Sequence, residues 1–164
     1  MTLPQVNNDI YKDIGEHWYH SDNYVALLRQ EAKTRDPWVL EKIKTHFSNS
    51  LDQIKILDVA CGGGFLSNYL AKNQLNVTGI DLYPEALEVA RKHDATKSVK
   101  YLQADAYKLP FENEQFDCIC MMDFLEHIDD IPRIIKESSR VLKKDGVIFF
   151  HTFNRNFLSW LIAI

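Results

Sequence analysis

From Ile54 onward the chain alternates between two kinds of segment. Compact apolar runs at 54–59, 76–80, 98–103, 116–121 and 146–152 have the length and bounding residues of strands. The stretches at 64–72, 84–93 and 130–143 read as helices, the second opened by Pro84, whose fixed φ suits a first helical turn. Strands alternating with helices predict βαβ units, hence a parallel sheet with right-handed crossovers and helices on both faces. The expected fold is a doubly wound α/β domain over residues 51–164.

The first fifty residues follow a different pattern. They read as helical and carry Tyr11, Trp18, Tyr19, Tyr24, Trp38 and Phe47. Ser21 or Asp22 is a candidate cap for a helix through Val25, Leu27 and Leu28. Asp36 followed by Pro37 is an N-cap with proline at the first helical position, opening a second helix through Val39, Leu40 and Ile43. Residues 1–50 are therefore expected to form a helical cap beside a ligand site, in one globular unit with the rest. The alternative is that these aromatic side chains only fill the core. At the other end, residues 157–164 are almost wholly apolar, which calls for a cover: more chain, another subunit or a lipid surface. The expectation is that the sequence stops inside a helix of a longer protein.

Composition narrows the partners. A length of 164 residues suits one domain, and 46% hydrophobic with 26% charged residues is ordinary for a soluble globular protein. A net charge of −4 argues against a nucleic-acid partner, which needs clustered Lys and Arg. Arg133, Lys136, Arg140, Lys143 and Lys144 follow helical spacing and read as a solvated helix face. The three cysteines, Cys61, Cys118 and Cys120, form no zinc pattern; Cys118 and Cys120 read as buried free thiols in a reducing compartment. No leader pattern opens the chain and no apolar stretch approaches the roughly 20 residues of a membrane span, so the expected location is cytoplasmic.

The chemistry gathers after the first strand. Half of the six glycines stand in one run, Gly62, Gly63 and Gly64, between an apolar strand and a helix. Such a turn can take positive φ and lets backbone approach a ligand, while the helix behind it offers unpaired N–H groups. Asp81 closes the next strand, about twenty residues on, where a carboxylate can accept from ribose hydroxyls. Asp58, just upstream of the glycines, would repel a pyrophosphate and favour a cationic ligand instead. Asp105 is a third acid on the same rim, placed to accept from an amino group such as that of adenine. A ribose, an ammonium, a sulfonium and no phosphate describe S-adenosylmethionine. An NAD-dependent oxidoreductase is the competing reading.

Beyond the fourth strand, Asp123, Glu126 and His127 have i, i+3 and i+4 spacing, which on a helix puts all three on one face. There they could hold a divalent cation, or make His127 a general base.

Leu57-Asp58-Val59-Ala60-Cys61-Gly62-Gly63-Gly64, Val77-Thr78-Gly79-Ile80-Asp81, Ala104-Asp105-Ala106 and Leu109-Pro110-Phe111 with Phe116-Asp117 together resemble the class I S-adenosylmethionine-dependent methyltransferases. The resemblance implies a Rossmann-like sheet whose last two strands lie beyond this sequence. It also implies cofactor contacts from Asp58, Ala60, Cys61, Gly62, Gly64, Asp81, Leu82, Asp105 and Ala106. The family's first loop glycine is Ala60 here; its methyl group is expected to be tolerated at the turn, the alternative being that it narrows the space beside the cofactor.

The segment around Asp123-Phe124-Leu125-Glu126-His127, with Asn154-Arg155-Asn156 and Ser159-Trp160-Leu161, resembles the ubiquinone-biosynthesis O-methyltransferases. That resemblance implies methyl transfer to a phenolic or catechol hydroxyl of a polyprenylated intermediate. It implies a divalent cation such as Mg²⁺ and catalysis at Asp123, Glu126 and His127, and a cofactor contact from Met122. A prenylated acceptor adds the expectation of peripheral contact with the inner membrane through the apolar C-terminal segment. The family's N-terminal arginine near the cofactor carboxylate has Val39 at the matching position, with Arg29 and Arg35 as candidate substitutes. A cofactor-binding module without turnover on the same fold is the alternative of a different class, as is a different acceptor.

Overall fold

In a computed structural model the described residues are 11–152, apart from positions 13, 21, 23, 49 and 50. The helices are α1 (His17–His20), α2 (Tyr24–His46), α3 (Phe65–Lys72), α4 (Pro84–His93) and α5 (Ile131–Val141). The strands are β1 (Lys55–Val59), β2 (Asn76–Asp81), β3 (Lys100–Gln103), β4 (Phe116–Met122) and β5 (Leu142–His151). The order β3-β2-β1-β4-β5 is parallel throughout, as the alternating pattern predicts. Because the order reverses beside β1, the carboxyl ends of β1 and β4 open a crevice, the usual ligand position in such sheets.

Strands β1 and β4 are apolar on both faces because both faces are covered. Ile56, Cys118 and Cys120 point to one side, against Leu66 and Leu70 of α3 and Val39, Leu40 and Ile43 of α2. Leu57, Val59, Ile119 and Met121 point to the other, against Ile134 and Val141 of α5 and the side chains of Leu109 and Phe116. Cys118 and Cys120 are buried free thiols, as their apolar setting predicts. The segment Leu109-Pro110-Phe111 is fastened by Arg140, whose guanidinium donates to the carbonyls of Leu109 at 3.0 Å and Phe111 at 2.8 Å.

Three local expectations are corrected. Asp36 does not begin a helix: α2 runs unbroken from Tyr24 to His46 with Pro37 inside it. Val25, Ala32, Val39, Leu40 and Ile43 form one buried stripe across the proline. Burying that stripe outweighs the roughly 3 kcal/mol that an interior proline costs a helix. Ser21 lies outside the described residues, and Asp22 stands in a bend before α2. Strand β3 starts at Lys100, because the Asp94 carboxylate accepts from the N–H groups of Thr96 and Val99 and holds that approach as a turn. Strand β5 starts early, at Leu142, with a register slip between the pairs Phe116–Leu142 and Cys118–Val147. Lys143 and Lys144 consequently belong to the strand rather than to the solvated face of α5, and Lys143 pairs with Asp117 at 2.7 Å.

The further strands expected of a complete sheet, and the apolar residues 157–164, lie outside the described residues. Among the described residues no helix is long and apolar enough to cross a membrane.

Candidate active site

The β1–α3 turn is a folded knot of backbone. Ala60, Gly62 and Gly64 all take positive φ, at 56°, 51° and 80°. The Cys61 N–H donates to the Ile80 carbonyl at 2.9 Å, so the loop crosses the end of β2. There the Gly62 N–H donates to Asp81 Oδ2 at 2.9 Å and the Tyr83 N–H to Asp81 Oδ1 at 3.0 Å. Both oxygens of Asp81 are thus oriented by backbone, and each keeps a lone pair for a ligand hydroxyl. Asp58 is 2% exposed and accepts from the Ser67 hydroxyl at 2.6 Å. Asp105 accepts from the Tyr107 N–H at 2.8 Å in the turn after β3.

The N-terminal helices close over this loop. A Cβ on Gly62 or Gly63 would meet the Trp18 ring or its stem at 2.7 Å, so the missing side chains are what let the indole lie on the turn. Tyr19 donates to the Gly63 carbonyl at 3.0 Å, and Arg29 donates to the Trp18 carbonyl at 3.2 Å. The Trp18 indole Nε1 is buried with no hydrogen-bond partner among the described residues. The aromatic residues of the cap therefore divide. Tyr11 and Trp18 line the site, Tyr19 braces the loop, and Phe47 packs on the core.

Between loop and cap lies a cavity of about 420 Å³. Asp58, Ala60, Cys61, Gly62, Asp81, Leu82, Asp105, Ala106 and Met122 all line it. Gly64 does not; it stands at the N-cap of α3, its α-carbon facing the Tyr101 hydroxyl and Ala90. Arg35 also lines the cavity, whereas Val39 is buried in the core. Of the two candidate substitutes for the family arginine, Arg35 is the one that reaches the site.

The far end of the cavity departs from the expected helix face. Asp123 sits at the end of β4 with φ 53°, in the left-handed region that aspartate tolerates better than most residues. Only Leu125–His127 form a 3-10 turn after it. The i, i+3, i+4 relation therefore does not bring the three polar side chains together. Asp123 and His127 line the cavity, but Glu126 does not, and its carboxylate accepts from the Thr152 hydroxyl at 2.7 Å. His127 stands edge-on to Tyr11, ring centroids 5.2 Å apart, with the Tyr11 hydroxyl 3.4 Å from Nε2. The Asp123 carboxylate is gripped from both sides, by Arg35 Nη1 on Oδ2 and by His151 Nδ1 on Oδ1. Among the described residues Asp123, Glu126 and His127 are not a group whose ligand atoms converge; Glu31, Asp123 and His151 are. A cation held by the expected triad does not fit this geometry. Sequence reasoning did not single out Glu31 or His151, because nothing local links α2 to the ends of β4 and β5.

Electrostatically the site has an excess of acid. Burial pushes the Asp58 carboxyl up to about 7, against the pull of the Ser67 hydrogen bond. Burial likewise raises Asp36 to about 6, although the Arg35 guanidinium opposes it. Asp81 is raised by burial in spite of its backbone donors, and Glu31 is raised by burial and by Asp123. Burial works to lower Arg35, but Asp36 and Asp123 together raise it. A cavity with several buried carboxyls and one guanidinium suits a cationic ligand.

A parallel sheet of this order, with a glycine turn and rim carboxylates facing one crevice, defines a nucleoside-cofactor domain of the methyltransferase type. The family model described as a methyltransferase domain matches residues 57–150, and the chain belongs to that family. The ubiquinone biosynthesis O-methyltransferase of Aliivibrio fischeri is 35% identical over 157 residues, 94% of this chain and 65% of that protein. The protein of the same name from Bartonella tribocorum is 32% identical over 171 residues, 99% of this chain and 69% of that one. A solved structure of a Pyrococcus horikoshii protein superposes with a TM-score of 0.67 at 28% identity, covering 87% of this chain and 61% of that one. The chain thus spans about two thirds of the length of the curated relatives it matches.

Proposed function

We propose that this chain carries the cofactor site and the acid–base groups of an S-adenosylmethionine-dependent O-methyltransferase. Its acceptor is a phenolic or catechol hydroxyl of a prenylated intermediate, and the names of the relatives support O-methylation in ubiquinone biosynthesis. The reading rests on one observation: Asp58, Asp81 and Asp105 line one end of a cavity whose other end presents Asp123 and His127.

The residues at the first end suit the cofactor group by group. Asp81, aimed by two backbone donors, is placed for the ribose hydroxyls, and Asp105 with the Ala106 amide for the adenine edge. Asp58 supplies negative charge for an ammonium. The Trp18 indole N–H, without a partner among the described residues, is a donor for a carboxylate, and Arg35, which lines the cavity from the Asp123 side, adds positive charge toward it. The bound cofactor supplies an activated methyl on a sulfonium, which leaves the protein mainly to align and to deprotonate.

Deprotonation is the work of the other end. A phenol of pKa about 10 is roughly a thousandfold under-ionised at neutral pH, about 4 kcal/mol to recover. A positioned base contributes about 10²–10⁴-fold. His127 is the imidazole that lines the cavity, and it takes the phenolic proton. Asp123, fixed by Arg35, lines the same cavity as His127.

The test separates binding from chemistry. His127→Ala should lower single-turnover transfer to a catechol acceptor by about 10²-fold or more. S-adenosylhomocysteine affinity, read by calorimetry, should change less than about threefold. Equal losses in both would remove His127 from the chemistry, and binding of NAD⁺ in place of S-adenosylhomocysteine would remove the whole reading. Peripheral membrane contact through residues 157–164 belongs to the same proposal, and sedimentation with liposomes checks it.

A further inference from the structure

We propose that Glu31, Asp123 and His151 form a divalent transition-metal site in the wall of the cavity, where α2 meets the carboxyl ends of β4 and β5. Glu31 comes from the middle of α2, Asp123 from the left-handed residue after β4, and His151 from the last residue of β5. One ligand atom from each lies within 4.8 Å of the other two.

The hydrogen bonding leaves the right atoms for an ion. Arg35 holds Asp123 by Oδ2, while Oδ1 faces His151 Nδ1. An ion binding on Oδ1 and Nδ1 displaces the proton between them to solvent and leaves Arg35 in place as the outer partner that fixes the carboxylate. Glu31 Oε2 is buried and has no hydrogen-bond partner among the described residues. A carboxylate oxygen in that state, with Asp123 beside it, is the group a cation would satisfy.

The charge count agrees. Glu31, Asp36 and Asp123 are all buried or half-buried around this end, and Arg35 is the guanidinium set among them. One imidazole and two carboxylates suit Mn²⁺, Fe²⁺ or Zn²⁺ better than Mg²⁺, which prefers an all-oxygen shell. The site thus differs in ligands and in metal from the one expected on Asp123, Glu126 and His127. Only Asp123 of the three lines the cavity, so the ion clamps α2 to the sheet and adds positive charge behind the acceptor end.

The existence of the site does not depend on the proposed reaction, and the test therefore reads metal binding. Mn²⁺ titrated into the full chain, followed by loss of its free-ion resonance signal, should show one bound ion that Zn²⁺ displaces and Mg²⁺ does not. Glu31→Gln and, separately, His151→Gln should each weaken it by more than about tenfold. Glu126→Gln and His127→Ala should leave it unchanged. So should His20→Ala, which breaks the Glu16–His20–His93 group, whose acid is already paired with the Lys92 ammonium at 2.8 Å. Retained S-adenosylhomocysteine binding certifies that each variant is folded. Unaltered Mn²⁺ affinity in both ligand variants overturns the proposal. So does loss confined to His127→Ala, or absence of binding by a chain that still takes S-adenosylhomocysteine. Failure of S-adenosylhomocysteine to bind while Mn²⁺ does would instead strike the functional reading and leave the metal site standing.

Discussion

The two ends of the cavity are held by different forces. At the cofactor end each acid is fixed by near neighbours: Asp81 by the N–H groups of Gly62 and Tyr83, Asp105 by that of Tyr107, Asp58 by the Ser67 hydroxyl. At the end lined by Asp123 and His127 the contacts are between side chains from distant segments: Arg35 with Asp123, His151 with Asp123, Tyr11 with His127. Substitutions in the glycine turn of the first end should act through backbone shape, and those at the second through charge. The largest effect expected from this contrast is at Arg35. Its side chain, 11% exposed, neutralises Asp36 and Asp123 at once. Arg35→Ala strands two buried carboxylates, a change that costs about 3–5 kcal/mol. Urea denaturation at pH 8 should show this loss, and the loss should shrink below pH 6, where Asp36, raised to about 6, takes up a proton. A pH-independent loss would mean that the guanidinium acts by packing, and the contrast would fail.

Gly64→Ala probes the other end. A Cβ there meets the Tyr101 hydroxyl at 2.5 Å and the Ala90 Cβ at 2.8 Å, at a φ of 80°. Overpacking costs about 1–3 kcal/mol and a left-handed alanine about 1–2 more. The sum should appear in the denaturation midpoint with no dependence on pH between 6 and 8. A pH-dependent loss would show that this end too is governed by charge.

The same contrast explains what the sequence disclosed. The glycine turn, Asp81 and Asp105 were placed on one rim because strand, glycine turn and acid at fixed spacing specify a local backbone shape, although Gly64 of that turn does not line the cavity. The parallel sheet was legible for the same reason, since each strand–helix unit carries its own punctuation, whereas the strand order comes from the structure alone. The shared helix face expected of Asp123, Glu126 and His127 does not form. A helical repeat assumes that a helix starts at Asp123, and a left-handed residue there turns Glu126 away from the cavity. The Asp36–Pro37 signal misled because a buried stripe on α2 overrode a local preference. Glu31 and His151 could not be found at all, because their relation to Asp123 exists only after α2 docks on the sheet.

Asp58 offers a smaller, titratable effect. Its folded value, about 7, lies above the ordinary 3.8, as does that of Asp36 at about 6. Between these limits the native state binds more protons than the unfolded chain, so stability contributed by these groups is full below about pH 4 and lost as pH rises to 7. Asp94 and Glu137, held low by their hydrogen bonds, work in the opposite sense in the acid range below. Asp58→Asn should flatten the difference in urea midpoint between pH 5 and pH 8. It should also remove a rise in S-adenosylmethionine affinity over that range, about tenfold, since the ionised carboxylate is what favours a cation. An affinity that rises equally in the variant would assign the proton to another group.

Ala60 gives the smallest effect and the sharpest reading of the backbone-held end. An L-residue at φ 56° bears a strain of about 1–2 kcal/mol that glycine does not. Glycine also gives the unfolded chain more freedom, about 0.4–1 kcal/mol in the other direction. Ala60→Gly should therefore stabilise the ligand-free protein by about 1 kcal/mol or less, a gain of a few degrees in melting temperature at this length. Because the Ala60 methyl lines the cavity, S-adenosylhomocysteine affinity reports separately on space. A stability gain with unchanged affinity means the turn alone was strained, whereas tighter binding means the methyl group also crowded the ligand. A loss of stability would show that the surrounding hydrogen bonds, Cys61 to Ile80 and Gly62 to Asp81, depend on the stiffness the alanine gives the loop.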